Sequence, residues 1–332
     1  MQHPSSFQSQ CLPLVHLLVH LAQTLYSLTQ TPGNLARALL ASLLLATSLS
    51  AHSSFKIDIN GLTSGQQVTP ANAVPGQGLP LATFGEPVIA VFGADIDIKQ
   101  QNEDRWLITA PVTKGIYPIH LSAADGTTKT IQLLVGEPFD GQTSQQGYTL
   151  GDYPKPESAP KSGSYPHPHS LVELHKHNLS QPISSHFKLG QFMCKQHAGW
   201  PRYAVIKRPL VIMLENIVTL LNRKGIGAST LAVLSGYRTP SYNAGLDNVK
   251  YSRHIYGDAA DVYVDADADG FMDDLNGDGL VSLEDAQLLA KLIATLPNAE
   301  LSGIGVYAAT SNHGPFVHVD TRGYKARWGV WD

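Results

Sequence analysis

The 332-residue sequence predicts an α+β protein, an all-β domain followed by a small domain built on an antiparallel sheet. Three observations predict it. Between residues 54 and 135, short runs alternate apolar and polar residues with a period of two and are separated by turn dipeptides. Beyond residue 208 the apolar period lengthens to that of a helix, and strand-like runs then return. A Gly-, Pro- and Ser-rich stretch divides the two patterns. The length, more than one ordinary domain needs, agrees with two domains.

Composition narrows the class. With 43% hydrophobic and 15% charged residues the chain can bury a sizeable core. The formal net charge of −4 carries no basic excess, which argues against nucleic acid as a partner. The two cysteines, Cys11 and Cys194, imply no disulfide framework and exclude a cysteine-based zinc cluster.

Residues 1–51 read as a signal or anchor segment. Arg37 precedes an apolar run of signal-peptide length that ends in small residues near Ala51, the layout of a secretory signal. The run is short for a membrane span, although Cys11 to Leu28 is also apolar, and retention as a membrane anchor is the competing reading. Either way the bulk of the chain is expected to be exported, to the periplasm or the cell envelope.

Residues 52–136 hold the runs Phe55–Ile59, Pro87–Phe92, Trp106–Thr109, Tyr117–Leu121 and Lys129–Val135. Asn60-Gly61, Pro75-Gly76 and Asp125-Gly126 supply the turns. Short strands of this spacing predict an antiparallel sandwich of immunoglobulin-like type. It carries no catalytic constellation and reads as a spacer or wall-binding module. Residues 137–168 read as an extended linker. His167, His169, His175 and His177 match no closed ligand set and read as isolated exposed histidines.

Residues 169–332 carry the chemistry. Leu189–Lys195 reads as a short helix that buries Cys194 as an inert thiol. Leu210, Leu214, Ile217 and Leu221 form one apolar helical face, opened by Pro209 and closed at Gly225. Leu231–Leu234 is a buried strand that delivers the chain to Ser235-Gly-Tyr-Arg238, and Pro240 starts a short helix. His254 and Asp261 lie seven residues apart around the small residues Gly257, Ala259 and Ala260, and one turn offering an imidazole and a carboxylate is half of a zinc site. On the strand that follows, Asp261, Tyr263 and Asp265 share one face, and Ala260, Val262 and Val264 the other. Two last strands are expected at Ile304–Tyr307 and Pro315–Asp320, and the second offers His318 as a third ligand. Three protein ligands leave a fourth position for water, as catalytic zinc requires. Arg238 is suited to gripping a carboxylate.

Each short pattern alone is weak, but their conjunction is specific. Ser-Gly-Tyr-Arg238-x-Pro, Ser252-x-His254-x-x-Gly-x-Ala-x-Asp261 and Phe-Val-His318-Val-Asp320 together resemble the zinc D-Ala-D-Ala carboxypeptidase and murein endopeptidase superfamily, the LAS-type metallopeptidases, over roughly 184–328. The resemblance implies a small antiparallel-sheet zinc peptidase domain. It implies zinc held by His254, Asp261 and His318, and substrate contacted by Arg238, with Tyr237 and Ser252 as neighbouring substrate-binding candidates. The expected partners are peptidoglycan peptides. One position departs from the pattern: many relatives carry an acidic base three residues before the last histidine, where this chain has Pro315. His313 is the first candidate to replace it and Asp320 the second, although Asp320 could equally orient a ligand.

An acidic insertion occupies 265–285. Asp-x-[Asp/Asn]-x-Asp-Gly begins at Asp265 and again at Asp274. The second copy fits a twelve-residue calcium loop, with Asp274, Asn276 and Asp278 as the first ligands, the Leu280 carbonyl, Ser282 and finally Asp285. Asp265, Asp267 and Asp269 read as a fused partial site. Calcium here is expected to be structural, and Ser282–Thr295 to be the exiting helix.

Overall fold

The computed structural model describes residues 55–331 apart from Pro160 and Ser162. The segment read as a signal or anchor lies outside the described residues, as does Cys11. Phe55 onward forms one compact unit with an α+β architecture and several mainly antiparallel sheets. No helix among the described residues is long and apolar enough to cross a membrane.

Among the described residues nine strands come first: β1 (Lys56–Ile59), β2 (Leu62–Ser64), β3 (Val68–Ala73), β4 (Gly78–Phe84), β5 (Val88–Phe92), β6 (Asp97–Asn102), β7 (Arg105–Thr109), β8 (Gly115–Ala123) and β9 (Thr128–Val135). They form a sheet of order β2-β1-β4-β7-β6 and a sheet of order β3-β9-β8-β5 around one core that includes Phe55, Leu81, Trp106 and Ile131. Asn60 and Gly61 both take positive φ in the two-residue β1–β2 hairpin, the geometry that Asn-Gly favours. The five strands expected from alternation are present. β2, β3, β4 and β6 are additional, and Pro70 and Pro80 interrupt the apolar signal in two of them. β3 runs parallel to β9, against the expected all-antiparallel pattern, and Pro70 fits there because β3 is an edge strand.

The stretch read as a free linker is instead packed down. It contains the short strands β10 (Glu137–Pro138), β11 (Ser144–Gln145) and β12 (Tyr148–Thr149). Tyr148 and Leu150 enter the second core, and Tyr165 packs on Tyr251 and Tyr256. Its aromatic residues supply the apolar area that an unattached linker lacks. β10 also pairs with β13 (Ser170–Leu174), which pairs with β14 (Arg202–Ala204).

The second core is built on α1 (Arg208–Arg223), whose Leu210, Leu214, Ile217 and Leu221 are all buried. Gly225, at φ 84°, follows its carboxy end. Leu189–Phe192 is a 3-10 turn, and Cys194 beyond it is buried and free. The central sheet has the order β15 (Ala232–Ser235), β16 (Ala259–Tyr263), β18 (Phe316–Asp320), β17 (Gly303–Tyr307), β19 (Ala326–Gly329). Its pairs are antiparallel except β17–β19, which is parallel and was not expected. β15 is half-buried rather than buried, because it is an edge strand facing a cavity. α2 (Pro240–Gly245) follows β15, with Thr239 Oγ1 accepting from the Tyr242 amide, and α3 (Leu283–Ile293) lies between β16 and β17.

The two cores meet along a polar seam. Lys114 donates to Glu137 at 2.6 Å and to Glu173 at 2.9 Å, and Gln66 donates to Asn216 on α1. Arg208 reaches the carbonyls of Ile59 and Leu62. Burial pushes Glu173 upward, but its bonds from Lys114 and His175 outweigh this and hold it below the ordinary carboxylate value. His175 stacks on His177, and no metal-ligating group forms there among the described residues.

Candidate metal centre

The register of the central sheet places Asp261 on β16 directly across from His318 on β18. His254 arrives from the 3-10 turn Arg253–Tyr256, which ends at Gly257. Gly257 has φ 68°, and a side chain there would run into the Val205 carbonyl, so the chain can return to β16 only through glycine. The result is a buried cluster of His254, Asp261 and His318.

Three donor atoms converge. His254 Nε2 lies 3.2 Å from His318 Nδ1 and 3.2 Å from Asp261 Oδ1, and His318 Nδ1 lies 2.8 Å from Asp261 Oδ1. Ligands about 2.0–2.2 Å from a tetrahedral zinc are themselves roughly 3.3–3.5 Å apart, so a small expansion fits the ion. Outer partners set the tautomers. His254 Nδ1–H donates to the Gly236 carbonyl at 2.7 Å, and His318 Nε2–H donates to Asp320 at 3.1 Å, which aims the other ring nitrogens inward.

The electrostatics fit a cation too. Burial lowers His254. Burial also acts to lower His318, but hydrogen bonds to Asp261 and Asp320 prevail and push it up to about 9. Asp261 and Asp320 are held well below the usual carboxylate range, because contacts with the imidazoles, and for Asp320 with Arg322, outweigh burial. Two inward imidazoles and a carboxylate form a centre that requires positive charge, either a proton on His318 or a metal ion.

The cluster forms the inner end of a cavity of about 760 Å³. Ser252, Arg238 and His313 line it, together with Tyr307, Arg322 and Trp328, which the sequence did not single out. Gly305 on β17 lies opposite both His318 and Trp328, and a side chain at Gly305 would collide with the indole. Trp328 thereby packs 5.1 Å from the His318 ring and donates Nε1–H to the Tyr307 hydroxyl at 2.8 Å. β17 was legible, but nothing in the sequence marked β19 as the strand beside it.

Several expectations are corrected in place. Tyr237 does not face the cavity: it is buried in the core, its hydroxyl 2.8 Å from that of Tyr153. Asp320 is fully buried behind His318 and does not line the cavity, its oxygens occupied by His318, Arg322 and the Gly303 amide, so it holds the His318 ring. Arg238 is engaged inward, with Nε on Ser235 Oγ at 2.8 Å and Nη2 on the second oxygen of Asp261 at 2.5 Å. His313 is half-buried against Phe316, and its Nδ1–H donates to the Gly314 carbonyl at 2.8 Å.

In the acidic insertion, Asp265, Asp267 and Asp269 bring their carboxylates together. Asp274 winds the second loop, accepting from the amides of Gly277, Asp278 and Gly279. Asn276 Nδ2 donates to Asp278 at 3.1 Å, and Leu280 is exposed. The side chains at the last positions of the second loop are engaged by backbone amides. Among the described residues Asp274, Asp278 and Asp285 do not converge as a group. Asp285 instead accepts from the amides of Leu275, Asn276 and Ser282, and Ser282 Oγ caps α3 through the Glu284 amide. Ser282 and Asp285 thus form the capping box of α3.

No family model and no curated protein matches the chain. Comparison with solved structures finds SGBP-B of the Bacteroides ovatus mixed-linkage glucan utilization locus, in complex with a mixed-linkage heptasaccharide, at 12% identity and a TM-score of 0.15. The match spans 29% of this chain and 29% of that one, and a likeness that slight carries no argument about fold or ligand.

Proposed function

We propose that the chain is an exported zinc-dependent peptidase that hydrolyses peptide bonds in peptidoglycan stem peptides, as a D-Ala-D-Ala carboxypeptidase or a murein endopeptidase. The observation that carries this reading is the convergence of His254 Nε2, His318 Nδ1 and Asp261 Oδ1 at the inner end of an open cavity. Zinc bound there supplies a Lewis acid and lowers the pKa of water. Gly236 and Asp320 hold the two imidazoles in the ligating tautomer. Arg238 fixes Asp261 and adds positive charge where an oxyanion develops. Because His313 Nδ1–H is committed to Gly314, Nε2 is left to accept a proton and return it to the leaving amine. The immunoglobulin-like module serves as a spacer or wall-binding unit. The 265–285 insertion binds calcium structurally, chiefly through Asp265, Asp267 and Asp269, and steadies the end of β16, where the Asp273 amide bonds the Val264 carbonyl.

The test is product analysis by mass spectrometry on defined muropeptides, with zinc and calcium titrated separately. New products that require zinc and vanish in His318→Ala are expected. A His318→Ala protein that keeps both its zinc and its cleavage overturns the reading. A second reading, a non-catalytic peptidoglycan- or calcium-binding envelope protein, is favoured by one observation: Asp261 is the only carboxylate that lines the cavity among the described residues. It predicts muropeptide binding without products.

A further inference from the structure

The charges around the cavity bear on which substrate it accepts. Arg238, Lys250, Arg253 and Arg322 line it, against the one carboxylate of Asp261. Asp258 and Asp320, which hold Arg253 and Arg322, are buried behind the wall. With these partners counted, four cations face three carboxylates, and Lys250 is the cation in excess even before a metal is added. A substrate seated there gains from carrying negative charge.

The four cations differ in what they have left to offer. Arg253 is committed: Nε and Nη2 bond Asp258, and Nη1 bonds the Ser164 carbonyl. Arg238 is tied to Ser235 and to the metal-ligating Asp261. Arg322 directs Nε and Nη2 to Asp320, and its Nη1 makes no hydrogen bond among the described residues and is not sealed in the core. Trp328 at 4.8 Å and Tyr324 at 5.5 Å hold its guanidinium plane. Lys250 is exposed at the mouth and makes no ion pair among the described residues. In the sheet, β15 precedes Arg238 and β18 precedes Arg322, with β16 and its Asp261 between them. The two guanidiniums thus come from either side of the strand that carries the ligand.

We propose that Arg322 reads a substrate carboxylate beside the scissile bond, with Lys250 assisting at the mouth, so that this cavity selects peptides with a free carboxylate at that position. The inference rests on the peptidase reading and names the substrate class it acts on. Arg322 suits the role because it is pre-oriented: one edge is fixed to Asp320 and the rings hold its plane, so little side-chain freedom is lost when a carboxylate meets Nη1.

The test uses the zinc-loaded full chain and two synthetic stem pentapeptides, one with free carboxylates and one with every carboxylate converted to carboxamide. Equilibrium affinity is measured by calorimetry, and cleavage is followed in parallel. The wild type should bind the acidic peptide roughly 10- to 100-fold more tightly, the range of a charge-assisted hydrogen bond. Arg322→Lys keeps a cation for Asp320 but lacks the second edge. It should retain zinc and bring the two affinities within about threefold, with the amidated peptide bound as in the wild type. Lys250→Gln, which touches nothing in the centre, should reduce the preference severalfold and decides the matter if Arg322→Lys does not fold. A wild type that binds both peptides equally, or an unchanged preference in the variant, overturns the proposal. Preference without cleavage upholds carboxylate recognition by Arg322 and removes the peptidase reading, whereas cleavage without preference removes the recognition and keeps the peptidase reading.

Discussion

At the scale of single residues, the centre depends on side chains that never meet the cavity. Asp320 receives the His318 Nε2–H and is itself held by Arg322 and by the Gly303 amide. Removing its charge while keeping its shape should leave the fold intact and loosen the ring. Asp320→Asn is expected to lower zinc affinity about 10- to 100-fold, measured by competition with a chromophoric chelator. The members of the cluster, His254, Asp261 and His318, were legible because chemistry restricts which residues make such a group. Tyr237 was misplaced because sequence spacing does not show to which side of the sheet a side chain turns after a strand ends. Arg322 and Trp328 were missed because an arginine or tryptophan near a strand has no signature until the register is known.

At the scale of elements, the side chains that cap α3 are the ones that stand at the last positions of the calcium-loop pattern. Asp285 caps α3 and gathers the Leu275, Asn276 and Ser282 amides, which makes it the knot of the insertion. Asp285→Ala should cost roughly 2–4 kcal/mol by leaving several amides without an acceptor. Urea melts give the loss, and faster hydrogen exchange at those three amides should locate it. The motif spacing fitted a calcium loop residue by residue, yet the same Ser-x-x-Asp is also a capping box, and a single sequence does not rank the two uses. α1 was predicted from its apolar face because that face is intrinsic to the helix. β19 was not, because its place depends on a long-range parallel pairing with β17.

At the scale of the whole molecule, Glu173 joins the two cores, bonded by Lys114 from the first and by His175 beside it. Its pKa is depressed in the folded chain, so its contribution to stability is present above the ordinary value of 4.5 and is lost as pH falls through the depressed one. Thermal melts from pH 7 to pH 3 should show the wild type and Glu173→Gln converging below about pH 4.5. A wild-type advantage undiminished in acid would contradict this. The seam was invisible in the sequence because the connecting stretch has a linker's composition, and its aromatic residues reveal their role only when packed.

The centre also closes a ring of chain. His254 and His318 are 64 residues apart, and the whole insertion from 265 to 285 lies between them. An ion held by both works as a clasp on that ring, as a cross-link does, by shrinking the conformational freedom of the unfolded loop. The two proposed ion sites are therefore nested and not side by side. Stripping the inner region leaves the clasp shut, whereas opening the clasp gives the inner region a longer leash. On the proposed function, loss of zinc should thus be felt first as slack in the acidic loop, at a distance from the cavity.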